Sequence, residues 1–502
     1  MMTSSRAAKF ALLGLTFCVV YPVAAQQQMD EMTLRQRMIA AQGKPPDQYR
    51  EEIITASSAD GTYLRREYHS GIDYRVVYGT GPFAHQSGRY EGREWDQDAN
   101  GVTTIHDSTP SRERHDPRQV SVSRVNQPVA SWRLADQDVH GIGTVQYFDP
   151  STFHLIRSET ITPAGTITTV YDDFLTVDGY TAAHHWVTDD GTTGAHVDSS
   201  VVTLVPSAVS EADLAIPSNR KLVDFPAGDA PVVLPAIFNP PRIIVHATID
   251  DHVLNFLLDT SSAGITLDAN VAHQLGLINS TQTLLANTRP NGLHATIPEI
   301  RVGDLAMRNV VASLGRVNAN WQVDKQTAGA LGYDFLRSAT LTIDYSRRSV
   351  VAVPSTAFSA PTMTPDSDIL AMRVIDHHPV LSVTVNGAMA DRMVLDTSAD
   401  TDMVLFGDFA RRNSEILAPK IATPEDPVLY NGTLLPDGKG YRMQEVDIGR
   451  YNFKPFDVIA VDRLKNFSPD TDGVLGPGIL EHFTASLDML GGKLYLVHSP
   501  GQ

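Results

Sequence analysis

The sequence predicts a mainly β protein: a β-rich N-terminal part followed by two copies of one strand-rich block. Three observations carry this expectation. Short alternating apolar and polar runs fill positions 50–205, the word "LDTS" occurs at 258–261 and again at 395–398, and a 25-residue stretch recurs downstream of each copy without gaps. The elements follow in chain order.

The first 28 residues read as a targeting segment. Arg6 and Lys9 make a basic start, Phe10 to Val20 form an apolar run too short to span a membrane, and "PVAAQQQ" places small residues before a polar tract. Cleavage after Ala25 is expected, giving a signal peptide over 1–25 and a periplasmic or secreted protein. The one cysteine, Cys18, lies inside this segment, and the bulky Phe17 before it argues against lipid anchoring. A mature chain without cysteine has no disulfides, thiol catalysis or cysteine metal sites.

At 502 residues the chain is long enough for about three domains. A content of 42% hydrophobic and 20% charged residues is that of a folded protein. The net charge is −18 and no stretch clusters Lys and Arg, which disfavours nucleic acid or an anionic membrane as partner.

In segment 30–55, "EMTLRQRMIAAQG" predicts one amphipathic helix stopped by Gly43 and Pro45. Runs such as "TYLRREYHS", "DYRVVYG", "GTVQYFD" and "GTITTVYDDFLTV", punctuated by Gly, Asp, Asn and Pro, predict half-exposed antiparallel strands. Residues 29–205 are therefore expected as one β-rich domain. Prolines at 206, 217, 226, 231, 235 and 240 predict a linker over 206–240. A second proline-containing break at 353–368 separates the two strand-rich blocks, 241–354 and 371–499.

The blocks align beyond the tetrapeptide. In "GALGYDFLRSATLTIDYSRRSVVAV" and "GVLGPGILEHFTASLDMLGGKLYLV", Gly329, Leu331, Gly332, Leu336 and Asp344 fall on Gly473, Leu475, Gly476, Leu480 and Asp488, 144 positions on. The "DTS" words are 137 positions apart, so the second block carries a seven-residue loop insertion. An Asp-Thr-Ser triplet arises by chance about once in several thousand positions. Two copies with shared flanks are an internal duplication.

The order apolar-apolar-Asp-Thr-Ser, followed some 70–80 residues later by apolar-apolar-Gly, resembles one lobe of a pepsin-like or retroviral-type aspartic protease. The resemblance covers about 241–499, extends to the bacterial exported members of that family, and places both lobes in one chain. It implies a bilobal acid-protease fold whose lobes pair with each other, with Asp259 and Asp396 as the catalytic residues. Two carboxylates about 3 Å apart cannot both ionise, so they share a proton and supply an acid and a base together. By the same resemblance Thr260 and Thr397 hydrogen-bond across a pseudo-twofold axis, and Leu331-Gly332 and Leu475-Gly476 pack against the two loops.

Ser261 and Ser398 stand where Gly is commoner in the family. Ser262 follows in the first copy and Ala399 in the second. A hydroxyl can donate to a carboxylate and a methyl cannot, so Asp259 is expected to hold more of the shared negative charge. A substrate-covering hairpin is expected at Asn291-Gly292 in "NTRPNGLHATI", matched in the second block by "YNGTLLPDGKGYRMQEV". The implied partner is a peptide or protein substrate, with no cofactor and no metal.

Other readings were weighed. An aspartate after a buried strand is commonly a turn or cap residue, a role the duplication makes unpersuasive for Asp259 and Asp396 but which suits Asp344 and Asp488. The doublets His184-His185 and His377-His378 lack metal-ligand spacing. No G-x-S-x-G, P-loop or dinucleotide word occurs. The N-terminal strands resemble, in texture only, bacterial lipoprotein-carrier proteins. The alternative function is a catalytically inactive, protease-like periplasmic protein that binds peptide or lipid.

Overall fold

Alternation of apolar and polar residues does build strands along most of the chain, and the protein is mainly β. The computed structural model describes residues 29–44, 47–56, 61–106, 119–138, 141–162, 165–189, 196–206, 209–226, 230–239, 241–280, 282, 293–317, 327–417, 429–431, 433–454, 456–462, 464, 467 and 471–498. The expected signal peptide, 1–25, and the expected hairpin tip, Asn291 and Gly292, lie outside the described residues.

The chain forms two units. The smaller takes 1–44, 115–183 and 188–191. Its helix, Glu31–Gln42, begins where the Asp30 carboxylate accepts the Thr33 amide at 2.7 Å and ends at Gly43, which adopts φ 75°. Leu34, fully buried, packs with Met29, Leu134 and Phe148. Strands Gln119–Val125, Ser131–Gln137, Gly143–Phe148, Leu155–Thr162 and Gly165–Val177 follow one another as an antiparallel meander.

The larger unit takes 45–114, 184–187 and 192–502. Its first strands, from Gln48–Ala56 to Thr103–Ile105, form a second meander, and Gln48–Ala56 also pairs with His196–Pro206. This second meander is also bonded into the first repeat. Asn100, buried, donates to the Val311 carbonyl at 2.8 Å, accepts from the Val311 amide at 2.7 Å and donates to Asp334 at 2.7 Å. Val102 lies in the same buried cluster as Leu222, Ile243 and Phe335.

Described residues of 206–240 enter the main core. Leu222, Val223, Phe225, Val232 and Leu234 are buried in the main core. Val223–Asp224 pairs with Leu305–Gly315, and Val232–Val233 pairs with Ser349–Pro354. The prolines keep out of the short helix Glu211–Leu214 and leave the intervening large apolar residues free to bury on sheet edges.

The two repeats share one topology. In the first, strands Arg242–Ile249 and His252–Leu258 form a hairpin whose turn residues Asp250 and Asp251 have φ 47° and 63°. In the second, His378–Val385 and Ala388–Leu395 turn through Asn386 and Gly387 at 46° and 84°. Both are the left-handed pair that tight hairpins need. The second strand of each hairpin then runs parallel to the glycine-bearing strand, Leu258 beside Leu331 and Leu395 beside Leu475. A six-stranded sheet joins the copies: Ala339–Asp344 pairs antiparallel with Phe483–Asp488, flanked by Ser349–Pro354 and Lys493–His498.

Candidate active site

Each Asp-Thr-Ser word leaves its strand at a sheet end and is held there by the strand beside it. The Asp259 amide donates to the Leu331 carbonyl at 3.1 Å, and the Asp396 amide donates to the Leu475 carbonyl at 2.9 Å. The glycines that follow those leucines leave room for the loops. A Cβ on Gly332 would lie 2.3 Å from the Ser262 carbonyl oxygen, and one on Gly476 would lie 1.8 Å from that of Thr401.

The two loops face each other through their threonines. Thr260 Oγ1 donates to the Leu395 carbonyl at 2.5 Å and accepts the Thr397 amide at 3.0 Å. Thr397 Oγ1 donates to the Leu258 carbonyl at 2.7 Å and accepts the Thr260 amide at 3.2 Å. Each hydroxyl thus satisfies one donor and one acceptor of the opposite loop, all of them buried, where an unmade bond costs about 1–3 kcal/mol.

Both aspartates are fully buried. The Ser261 amide and hydroxyl each reach Asp259 Oδ1 at 2.8 Å, and those of Ser398 reach Asp396 Oδ1 at the same distance. The serines that replace the commoner glycine therefore add one donor to each carboxylate. Beyond that the carboxylates differ. Asp259 Oδ2 takes no hydrogen bond from the described residues, whereas Asp396 Oδ2 accepts the Tyr430 hydroxyl at 2.5 Å. Burial first, and the charge of Asp396 second, push the Asp259 carboxyl up to about 7, against the opposing Ser261 donors.

The Ser262 hydroxyl is not the donor to Asp259 that the sequence suggested: Ser262 Oγ donates to the Gly264 carbonyl at 2.8 Å, bracing its own loop.

Three contributors were not foreseen from the sequence. Arg242 and His378 open the first strand of their hairpins, and each reaches across to the opposite loop. Arg242 Nε donates to the Ser398 carbonyl at 3.0 Å, and His378 Nε2 donates to the Ser261 carbonyl at 2.9 Å. Burial holds the His378 imidazole below its ordinary value, so it bonds as the neutral ring. Tyr430 is the third. Its signal was the Asn431-Gly432 turn word directly behind it, since Asn431 has φ 48° between strands Leu429–Tyr430 and Thr433–Leu434. The other singled-out residues serve structure. Asp344 accepts from the Ser346 hydroxyl and the Arg347 amide, and Asp488 accepts from the Gly491 amide. His377 bonds Asp96 at 2.7 Å, and His185 bonds Asp198 at 3.2 Å. Among the described residues no group of three His, Cys, Asp or Glu could hold a metal ion.

Residues 245–335 match the family model described as aspartyl protease. That region contains the first Asp-Thr-Ser word and Gly332, while Asp396 lies beyond it, so an aspartic protease-like region begins in the first repeat. No curated protein matches the chain. Among solved structures the chain is similar to a retropepsin-like aspartic protease from Rickettsia conorii, at 21% identity over 26% of this chain and 88% of that one, with TM-score 0.19. It is also similar to an aspartic proteinase from Irpex lacteus, at 13% identity over 54% and 98%, with TM-score 0.34. A putative outer membrane lipoprotein-sorting protein domain from Vibrio parahaemolyticus matches at 13% identity over 36% and 94%, with TM-score 0.29.

Proposed function

We propose that the protein is an exported aspartic endopeptidase that hydrolyses peptide bonds with a water activated between Asp259 and Asp396, and that 241–354 and 371–499 are its two lobes. The observation that carries this reading is the reciprocal bonding of Thr260 and Thr397, which sets two Asp-Thr-Ser loops face to face. A capping aspartate has no need of such a partner. Export rests on the N-terminal basic and apolar sequence. Among the described residues no helix is long and apolar enough to cross a membrane.

In this reading ionised Asp396 takes a proton from water as the water oxygen bonds to the peptide carbon. The carbonyl electron pair moves to oxygen and takes the proton of Asp259. Collapse of the tetrahedral intermediate breaks the C–N bond, the nitrogen receives the proton from Asp396, and a proton returns from the new acid to Asp259. No step requires a second nucleophile, and the low dielectric around both groups strengthens each transfer. The test is hydrolysis of an unfolded protein at mildly acidic pH, blocked by a statine-type transition-state mimic and unaffected by chelators or thiol reagents. Loss of hydrolysis with EDTA, or none to begin with, overturns the reading.

A further inference from the structure

Nothing in the Asp-Thr-Ser words themselves decides which aspartate is the acid and which the base. We propose that Tyr430 decides it, as a positioning residue whose phenol holds the negative charge on Asp396 and so leaves the shared proton on Asp259. This assignment rests on the peptidase reading above only for its catalytic consequence.

The donor inventory is unequal. Asp396 receives the Ser398 amide, the Ser398 hydroxyl and the Tyr430 hydroxyl, whereas among the described residues Asp259 receives the amide and hydroxyl of Ser261, with the Ser398 hydroxyl near enough to lower its carboxyl as a weaker third influence. A third donor to a buried carboxylate favours its ionised form, and charge-assisted O–H···O bonds are the short, strong ones. The second copy needs this phenol because Ala399 offers no hydroxyl, and the hydroxyl of Ser262 in the first copy is committed to the Gly264 carbonyl.

The phenol is held in place. Asn431 exchanges two hydrogen bonds with Asp400, amide to carboxylate at 2.6 Å and amide to side-chain oxygen at 3.1 Å. Arg242, which braces the Ser398 carbonyl, also donates to Asn431 Oδ1 at 3.3 Å. The hairpin carrying Tyr430 is therefore pinned to the loop carrying Asp396. Burial and the adjacent carboxylate hold the phenol far above its ordinary value, which keeps it a donor throughout the working range. A buried tyrosine that merely satisfies its own hydroxyl would not move a proton between two other residues.

The experiment is a 13C titration of the aspartate carboxyls in the full chain between about pH 4 and pH 8, with Asp259→Asn and Asp396→Asn used for assignment. Near the middle of that range the wild type is expected to show an ionised Asp396 and a protonated Asp259. In Tyr430→Phe the two signals should converge. In active enzyme, kcat should fall about tenfold with KM little changed, and the acid limb of its pH profile should rise by roughly one unit, as befits the loss of one charged hydrogen bond. Unchanged carboxyl signals in Tyr430→Phe overturn the proposal. Should that chain fail to fold, 3-fluorotyrosine at position 430, a stronger donor, must widen the separation of the two signals, and an unaltered separation is equally fatal. Wild type that titrates as expected but hydrolyses nothing refutes the peptidase reading and leaves the Tyr430 assignment standing.

Discussion

Thr342 Oγ1 and Ser486 Oγ share a hydrogen bond of 2.8 Å although they occupy the same place in the two copies, 144 positions apart. Equivalent residues touch only where the relation between copies brings each against its own counterpart. Thr260 and Thr397, 137 positions apart, do the same at the acid pair. The joined sheet and the paired loops thus follow from one local symmetry.

Replacing Asp259 or Asp396 by Asn should each reduce hydrolysis by at least a hundredfold with the fold retained, and the double replacement should be little worse than either single one. Asp344→Asn and Asp488→Asn should keep most activity and lose about 1 kcal/mol of stability, since their bonds close local turns. Steady-state kinetics beside urea unfolding separates the two outcomes. A single Asp259→Asn or Asp396→Asn variant that retains more than a few per cent of activity is incompatible with a shared-proton pair.

The raised carboxyl of Asp259 makes stability depend on pH in a definite direction. Its pKa is about 7 folded against an ordinary 3.8, so its stabilising contribution is complete below the ordinary value and is lost as pH rises through about 7. Asp259→Asn removes that loss. The variant should be more stable than wild type at pH 8, on the order of 3–4 kcal/mol, with the difference vanishing near pH 4. Denaturant midpoints across this range measure it. Hydrolysis by wild type should fall only as pH rises through about 7, where the pair loses its proton.

Gly332→Ala and Gly476→Ala should each destabilise by about 3 kcal/mol or more, because the added methyl meets a backbone carbonyl rather than a side chain that can swing away. Gly315→Ala, where an added methyl would meet nothing within 4 Å, is the control and should cost about 1 kcal/mol or less. Chemical denaturation of the three variants gives the comparison.

A chain begun at residue 241 should be much less stable than the whole, since it lacks Leu222, Val223, Phe225, Val232 and Leu234 from the core and Asn100 from the Val311 strand. Each lost large side chain leaves a cavity worth about 2–4 kcal/mol. Limited proteolysis should spare the described part of 206–240. Preferential nicking beside Leu222 or Val232 contradicts this.

The repeat, its offset and the acid pair were readable because duplication compares a sequence with itself. Glycine at 332 and 476 was readable for a similar reason, since close approach admits no other residue. Cross-chain partners were not. Arg242 and His378 differ in type although they do the same job, so the repeat conceals them. Tyr430 precedes an Asn-Gly turn word like the Asn291-Gly292 of the first copy, and nothing in that word tells which residue beside it reaches a carboxylate. The prolines of 206–240 announced what backbone could not form there and were silent on what the neighbouring apolar side chains would bury against. The Ser262 hydroxyl, expected to serve Asp259, went to the Gly264 carbonyl instead.

The strand Lys493–His498 pairs with Phe483–Asp488, which in turn pairs with the first repeat. During synthesis Asp259 emerges 137 residues before its counterpart, and the six-stranded sheet that joins the two copies is complete only once Lys493–His498 is made. On the peptidase reading proposed above, hydrolytic competence would come late in the life of the chain: until Asp396 and Thr397 are made, Asp259 has no opposing carboxylate and Thr260 no opposing threonine.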